Sequence, residues 1–301
     1  MSSTNSNENY YSLYYDFNRI ISDMSNTFLD GNILYNLEKQ FESRTYVDQT
    51  WKKWMQQNWK QSITIGFVYI VLVFFGRYLM KNRTKFELRP ALIVWNLILA
   101  TFSILGSIRV IPSFFHILND RGVVYSVCDT EYAYGQTGFW SFMFVMSKLP
   151  ELVDTLFIVL RKQELIFLHW YHHATVLMYC WFSYKDFAST GRWFMTMNYA
   201  VHSLMYSYYV LKAMRFRVPR FVSQVITTGQ ILQMIAGCYV NYVAFNTKVA
   251  GKQCGITDEN IKYSSLMYFS YFVLFFDFFI KAYIFNKSAA ANNKKSIKKD
   301  N

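Results

Sequence analysis

Seven apolar stretches follow one another along the chain, at 61–80, 91–114, 138–160, 166–184, 193–214, 221–245 and 263–285, and leave no room for a separate soluble domain. Each holds about 20 residues, enough to cross a bilayer as a helix rising 1.5 Å per residue. Backbone N–H and C=O groups inside lipid must be satisfied within the chain, which restricts such segments to helices or closed barrels. The expectation is therefore an all-α integral membrane protein with seven transmembrane helices. A hydrophobic fraction of 53% and an aromatic fraction of 20%, against 17% charged, fit that class.

The ends divide the chain into three parts: a polar segment at 1–59, a seven-helix unit at 60–286 and a basic tail at 287–301. The first 25 residues lack the apolar core and cleavage site of a signal peptide, which leaves the first helix as the targeting signal. Trp51, Trp54 and Trp59 read as an interfacial anchor before it. The net charge of +12 invites a nucleic-acid reading. Yet Lys and Arg lie in alternate loops, being richer at 81–90, 161–165, 212–220 and from Lys287 onward than at 51–60, 119–137, 184–192 and 247–262. The positive-inside rule accounts for this pattern with the N-terminus in the lumen, the C-terminus in the cytosol and no nucleic-acid partner. Cys128 and Cys254 then fall in lumenal loops, where an oxidising compartment permits a bridge between them, the alternative being two free thiols. Cys180 and Cys238 fall inside helices. Sequons at Asn82 and Asn286 would face the cytosol and stay unglycosylated.

Residues 165–182, LIFLHWYHHATVLMYCWF, place His169, His172 and His173 in one of these stretches. Ionisable groups in spans are costly and mark functional sites by default. The third stretch carries Lys148, Glu151 and Asp154 around Pro150, the fifth Asn198 and His202, the sixth Thr227, Gln230 and Gln233, and the seventh Asp277. Counted from the cytosolic ends, His172 lies roughly 11 Å deep, His202 and Gln230 roughly 15 Å and Asp154 roughly 10 Å. Spans of opposite direction thus bring polar groups to one layer. The i, i+3, i+4 spacing of the three histidines puts them on one helix face, and Asn198, His202, Tyr206 and Tyr209 form a comparable stripe.

Histidines in such a layer are compatible with several chemistries. His169 and His173 have the spacing of zinc helices, but Trp170 stands where a zinc hydrolase needs its glutamate. A di-iron desaturase or hydroxylase would need more histidines than the five present, although a mixed site using Glu151 and Asp154 stays open. Against a seven-helix receptor or transporter stand the histidine box and the absence of receptor signatures such as DRY or NPxxY. Imidazole also attacks activated acyl groups and shuttles protons. No GxSxG elbow is present, and Cys180, roughly 12 Å along the helix from His172, is too far to act with it. The glycines form neither a P-loop nor GxGxxG, so a phosphorylated carrier would be held by charge. Topology explains most cytosolic Lys and Arg, leaving Lys148, Arg161 and Lys162, nearest the polar layer, as candidates.

Four segments in order, KLPELVDTLFIVLRK (148–162), HWYHH (169–173), NYAVHSLMYSYY (198–209) and TTGQILQ (227–233), resemble the signatures of the ELO family of very long chain fatty acid elongases. The similarity runs from about Trp54 to Tyr283. Trp170 in the box and GRWFMTMNYAVH look like the branch acting on palmitoyl-class saturated and monounsaturated chains. The resemblance implies seven helices around an acyl tunnel, open to the cytosol and closed toward the lumen. It implies a 3-ketoacyl-CoA synthase using acyl-CoA and malonyl-CoA, with no metal and no bound cofactor. His172 would take the acyl group, His202 would assist the condensation, and His169 and His173 would position the nucleophile or exchange protons with it. Asn198, Tyr206 and Gln230 would bond carbonyl oxygens, with Lys148, Glu151, Asp154, Arg161, Lys162 and Gln233 completing the substrate-binding set. A dry site favours neutral, nucleophilic imidazole and protects an acyl-imidazole from water. Expected partners are membrane lipids, the ketoacyl reductase, dehydratase and enoyl reductase of the elongation cycle, and a second copy in a homodimer. The terminal KKDN, with Lys298 and Lys299, resembles a dilysine signal for the endoplasmic reticulum. Asp277 matches no motif of the family.

Overall fold

The structure, a computed structural model, describes residues 32–285, all of whose regular elements are helical. The dilysine-like tail and Asn286 lie outside the described residues. Short helices α1 (Asn32–Gln40) and α2 (Arg44–Val47) come first, and α2 runs through a π turn at Asp48–Lys52 into α3 (Lys53–Asn58). Then follow α4 (Gln61–Met80), α5 (Arg89–Cys128), α6 (Gly135–Ser147), α7 (Val153–Leu160), α8 (Phe167–Tyr184), α9 (Gly191–Ala213), α10 (Arg220–Val249) and α11 (Asp258–Phe279).

The chain's chemistry explains where these elements begin and break. Pro90 occupies the first turn of α5, and Pro219 precedes α10, where a missing N–H costs nothing. The Thr257 hydroxyl accepts the Asn260 N–H at 3.2 Å to cap α11, whose first turn carries Asp258 and Glu259. The expected single span at 138–160 is instead α6 and α7 separated by a 3-10 turn at Pro150–Leu152, because proline cannot continue the α-helical ladder. The expected stretch at 91–114 belongs to a helix that continues to Cys128, with non-helical backbone at Gly122, φ 77°. Polar residues from His116 onward ended the apolar window, while the helix runs on to the break at Gly122 and a further helical turn follows to Cys128.

Among the described residues, three helical segments, Gln61–Met80, Arg89–Cys128 and Asp258–Phe285, are long and apolar enough to cross a membrane. Helix α4 buries only a narrow stripe, including Ser62, Gly66, Tyr69 and Val73, at helical spacing, and turns Phe67, Leu72 and Tyr78 outward. Gly106 lets α5 and α9 approach closely: a Cβ there would sit 2.3 Å from the Tyr199 ring. Tyr199, 1% exposed, donates its hydroxyl hydrogen to the Trp140 carbonyl at 2.9 Å and so ties α9 to α6.

The described part of the polar N-terminal segment is packed. Phe41, Val47 and Met55 are buried in the main aromatic cluster with Phe139, Trp140 and Trp181. Glu38 pairs with Arg109 and accepts the Trp140 indole N–H at 2.8 Å, which anchors α1 on the bundle end. At that same end a disulfide joins Cys128 and Cys254 across 126 residues of sequence. Backbone bonds from Gly255 N–H to Cys128 C=O and from Ser189 N–H to Gly255 C=O knit the α8–α9 and α10–α11 loops beside it.

Candidate functional site

The break at Pro150 and the starts of α8 and α9 bring the polar layer together. A cavity of about 370 Å³ is lined by His169, His172, His173 and His202, together with Asp154, Tyr206, Tyr209, Thr227 and Gln230. The His169 and His173 rings are 4.4 Å apart, centre to centre, and those of His172 and His173 5.5 Å. His173 and His202 are buried.

Each group is held by neighbours on other helices. The Thr155 hydroxyl lies 2.9 Å from His169 Nε2 and 2.7 Å from the Tyr69 hydroxyl, which fixes the first imidazole of the box against α4 and α7. Asp154 accepts the Trp95 indole N–H at 2.6 Å and the Tyr206 hydroxyl at 2.8 Å. The His172 ring packs 4.8 Å from the Tyr271 ring, and the Tyr271 hydroxyl lies 2.6 Å from Thr175 Oγ and donates to the His172 carbonyl at 3.3 Å. Tyr271 thus braces the turn of α8 that carries His172.

A second, narrow and mainly apolar channel of about 50 Å³ runs from His172 toward the disulfide end, past Phe144, Val176 and Cys180 to Tyr184, Gly191 and Tyr132. From His172 to Tyr184 the distance along α8 is roughly 18 Å. Its far end is tight: a Cβ on Gly191 would meet the Tyr132 hydroxyl at 2.2 Å, and that hydroxyl donates to the Ala188 carbonyl at 2.7 Å. His172 is the residue that lines both cavities.

The other candidates fall into three groups. Asp154, Tyr206 and Gln230 line the histidine cavity, where Gln230 contacts Met205 Sδ at 3.4 Å, whereas Asn198 and Gln233 line the narrow channel. Lys148, Glu151, Arg161 and Lys162 line neither. The Lys148 ammonium is spent on Glu151 at 2.7 Å and Asn198 at 3.2 Å. Lys162 donates to the Lys81 and Arg83 carbonyls at 3.1 Å each and clamps the loop after α4, while Arg161 caps α7. Trp170 points away from both cavities, onto Phe74 and Phe167. Asp277 lies outside the layer, exposed and paired with Lys281. Sequence reasoning missed Thr155, Trp95, Tyr271 and Tyr132; Thr155 directly follows Asp154 in the third stretch, whereas the roles of the other three arise from tertiary neighbours.

Among the described residues no three of His, Cys, Asp or Glu are placed to hold a metal ion. The fold and site define a class: a helical membrane protein in which a polar histidine cavity meets a blind apolar channel at one imidazole. Residues 54–291 match the family described as ELO: GNS1/SUR4 family, and the chain belongs to it. It is 52% identical over 251 residues to the very long chain fatty acid elongase 6 of Gallus gallus, covering 83% of this chain and 92% of that protein. It is 51% identical to the protein of that name from Homo sapiens, with the same coverage, and 38% identical to human very long chain fatty acid elongase 3, over 84% and 94% of the two chains.

Proposed function

We propose that this chain catalyses the condensing step of fatty acid elongation, joining a long-chain acyl-CoA to malonyl-CoA to give 3-ketoacyl-CoA, carbon dioxide and CoA. The observation that carries the reading is the position of His172, where the polar cavity meets the apolar channel. A thioester carbonyl at that junction has its acyl tail directed into the channel, which at about 50 Å³ must widen to take the whole chain, and its CoA on the side of the polar cavity.

In the first half-reaction the His172 imidazole nitrogen attacks the thioester carbonyl, the C–S bond breaks, and CoA leaves as the thiol after taking a proton. In the second, malonyl-CoA loses carbon dioxide, and the resulting carbanion attacks the acyl-imidazole carbonyl. The C–N bond breaks, and the departing imidazole nitrogen takes up one proton from solvent, which restores neutral imidazole. His202, across the cavity, assists the condensing centre, and His169 and His173, on the same helix face as the nucleophile, orient it or exchange protons with it. Asn198 and Gln230, on either side of the junction, are suited to donate to carbonyl oxygens. The dry apolar channel shields the acyl-imidazole from hydrolysis.

Several wider readings go with this one. The helices supply seven spans, counting α6 and α7 as one. The disulfide end faces an oxidising lumen, the basic loops face the cytosol, and the endoplasmic reticulum is the compartment. Palmitoyl-class chains are the substrates, no cofactor is bound, and the reductases and dehydratase that complete the cycle are partners, as is a second copy of the chain. Incubating the purified protein with palmitoyl-CoA and carboxyl-labelled malonyl-CoA tests the activity: labelled carbon dioxide should appear with 3-ketoacyl product. Release of no carbon dioxide with any long-chain acyl-CoA would overturn it.

A further inference from the structure

A third cavity, of about 760 Å³, lies outside the histidine site, over the flank of α8 between α4 and α11. Its walls are apolar, with Ile63, Met178, Phe182, Leu266 and Met267 among them, and it runs from Tyr171 to Lys185 and Asp186. Helices α4 and α11 both belong to membrane-spanning segments, and Ile63 and Leu266 are 48% and 66% exposed, so the groove opens sideways into the bilayer.

Size and charge select the occupant. Along α8 the groove measures roughly 21 Å, close to half of the 40–45 Å that a bilayer occupies with its headgroups. Its apolar walls face the bilayer along that length and suit a flexible hydrocarbon chain. The head of the groove is ionic: Lys185 is 2.5 Å from Asp186 and lies over the Phe182 ring, and Glu259 stands exposed on the same rim. One of the three ammonium hydrogens of Lys185 serves Asp186, which leaves donors for a phosphate, and Glu259 offers a carboxylate to an amine.

We propose that this groove binds one membrane phospholipid with an amine-bearing headgroup, its phosphate on Lys185, its amine on Glu259 and its acyl chain along α8 to Tyr171. Tyr179 and Met267 line both this groove and the narrow channel, so the lipid chain backs the thin wall between α8 and α11. The inference needs only the membrane setting and not the chemistry assigned to His172.

The test places the full chain in phosphatidylcholine vesicles containing phosphatidylethanolamine with a diazirine in its acyl chain, followed by irradiation and peptide mapping. Adducts should concentrate on segments 171–186 and 259–267. The groove-filling variants Ile63→Trp and Leu266→Trp should lower them about tenfold and leave adducts on the outer face of α4 unchanged. Both positions are exposed, so folding should survive; if it does not, the wild-type map decides alone. Labelling no denser than on 67–75 would mean ordinary boundary lipid and would overturn the proposal. So would groove labelling by a diazirine palmitoyl-CoA that phospholipid fails to displace, which would assign the groove to the substrate's tail.

Discussion

Lys148 and Glu151, with side chains 2% and 4% exposed, face each other across the Pro150 turn at 2.7 Å. Their charges are plain in the sequence, and a basic residue near the polar layer suggested phosphate binding. Burial gives the ammonium a different use, since it bonds Glu151 and Asn198 and lies over the Phe144 ring. Breaking a buried pair leaves an uncompensated charge. Lys148→Met should therefore cost about 3–5 kcal/mol, and Lys148→Met with Glu151→Leu should recover most of that loss. Thermal unfolding in detergent measures both, and a single variant as stable as wild type would contradict the pairing. Tyr132 shows the opposite case. It sits in a loop outside every apolar stretch, so nothing in the sequence marks it, yet it closes the channel beside Gly191. Tyr132→Ala should shift the product distribution toward longer chains, while Tyr132→Phe should keep the distribution and lose only the bond to Ala188, about 1 kcal/mol. Gas chromatography of products from a series of acyl-CoA lengths separates the two, and an unchanged profile for Tyr132→Ala would remove the residue from the channel's end.

At the scale of elements, the sequence was most readable where one helix face repeats. The i, i+3, i+4 histidines on α8 and the stripe on α9 could be placed from spacing alone, whereas the break at Pro150 that divides the expected single span at 138–160 into α6 and α7 was not read. Boundaries were less readable. The helical backbone beyond Phe114, up to the break at Gly122 and on to Cys128, was hidden because hydropathy records lipid contact, whereas helix formation depends on backbone bonding. Helices α1 to α3 were hidden because their few buried side chains, such as Phe41 and Met55, are scattered through polar sequence and find partners only on the bundle end. The disulfide belongs to this scale, since it holds the end of α5 to the α10–α11 loop. Closing so long a loop restricts the unfolded chain, so Cys128→Ser should lower stability by about 2–4 kcal/mol. Comparing unfolding of the variant and the wild type under non-reducing conditions checks this, and equal midpoints would show the bridge to be dispensable.

Across the whole molecule, the depth count was the most informative reading: Asp154, His172, His202 and Gln230, from four separate stretches, line one cavity. What no count could supply was the second cavity and the single side chain common to both. That geometry comes from how α8 lies among α6, α9, α10 and α11. On the proposed reading, the tail of a long substrate lies on the side of the apolar channel and its carrier on the side of the polar cavity, with the reacting carbonyl at the boundary. The most direct measurement is intact-protein mass spectrometry after incubation with palmitoyl-CoA alone, for wild type and His172→Ala. A palmitoyl adduct on wild type, absent from the variant and discharged by malonyl-CoA, is the expected result. An adduct that persists on His172→Ala, or product formation by that variant at the wild-type rate, would contradict the assignment of His172 as the acyl-bearing nucleophile.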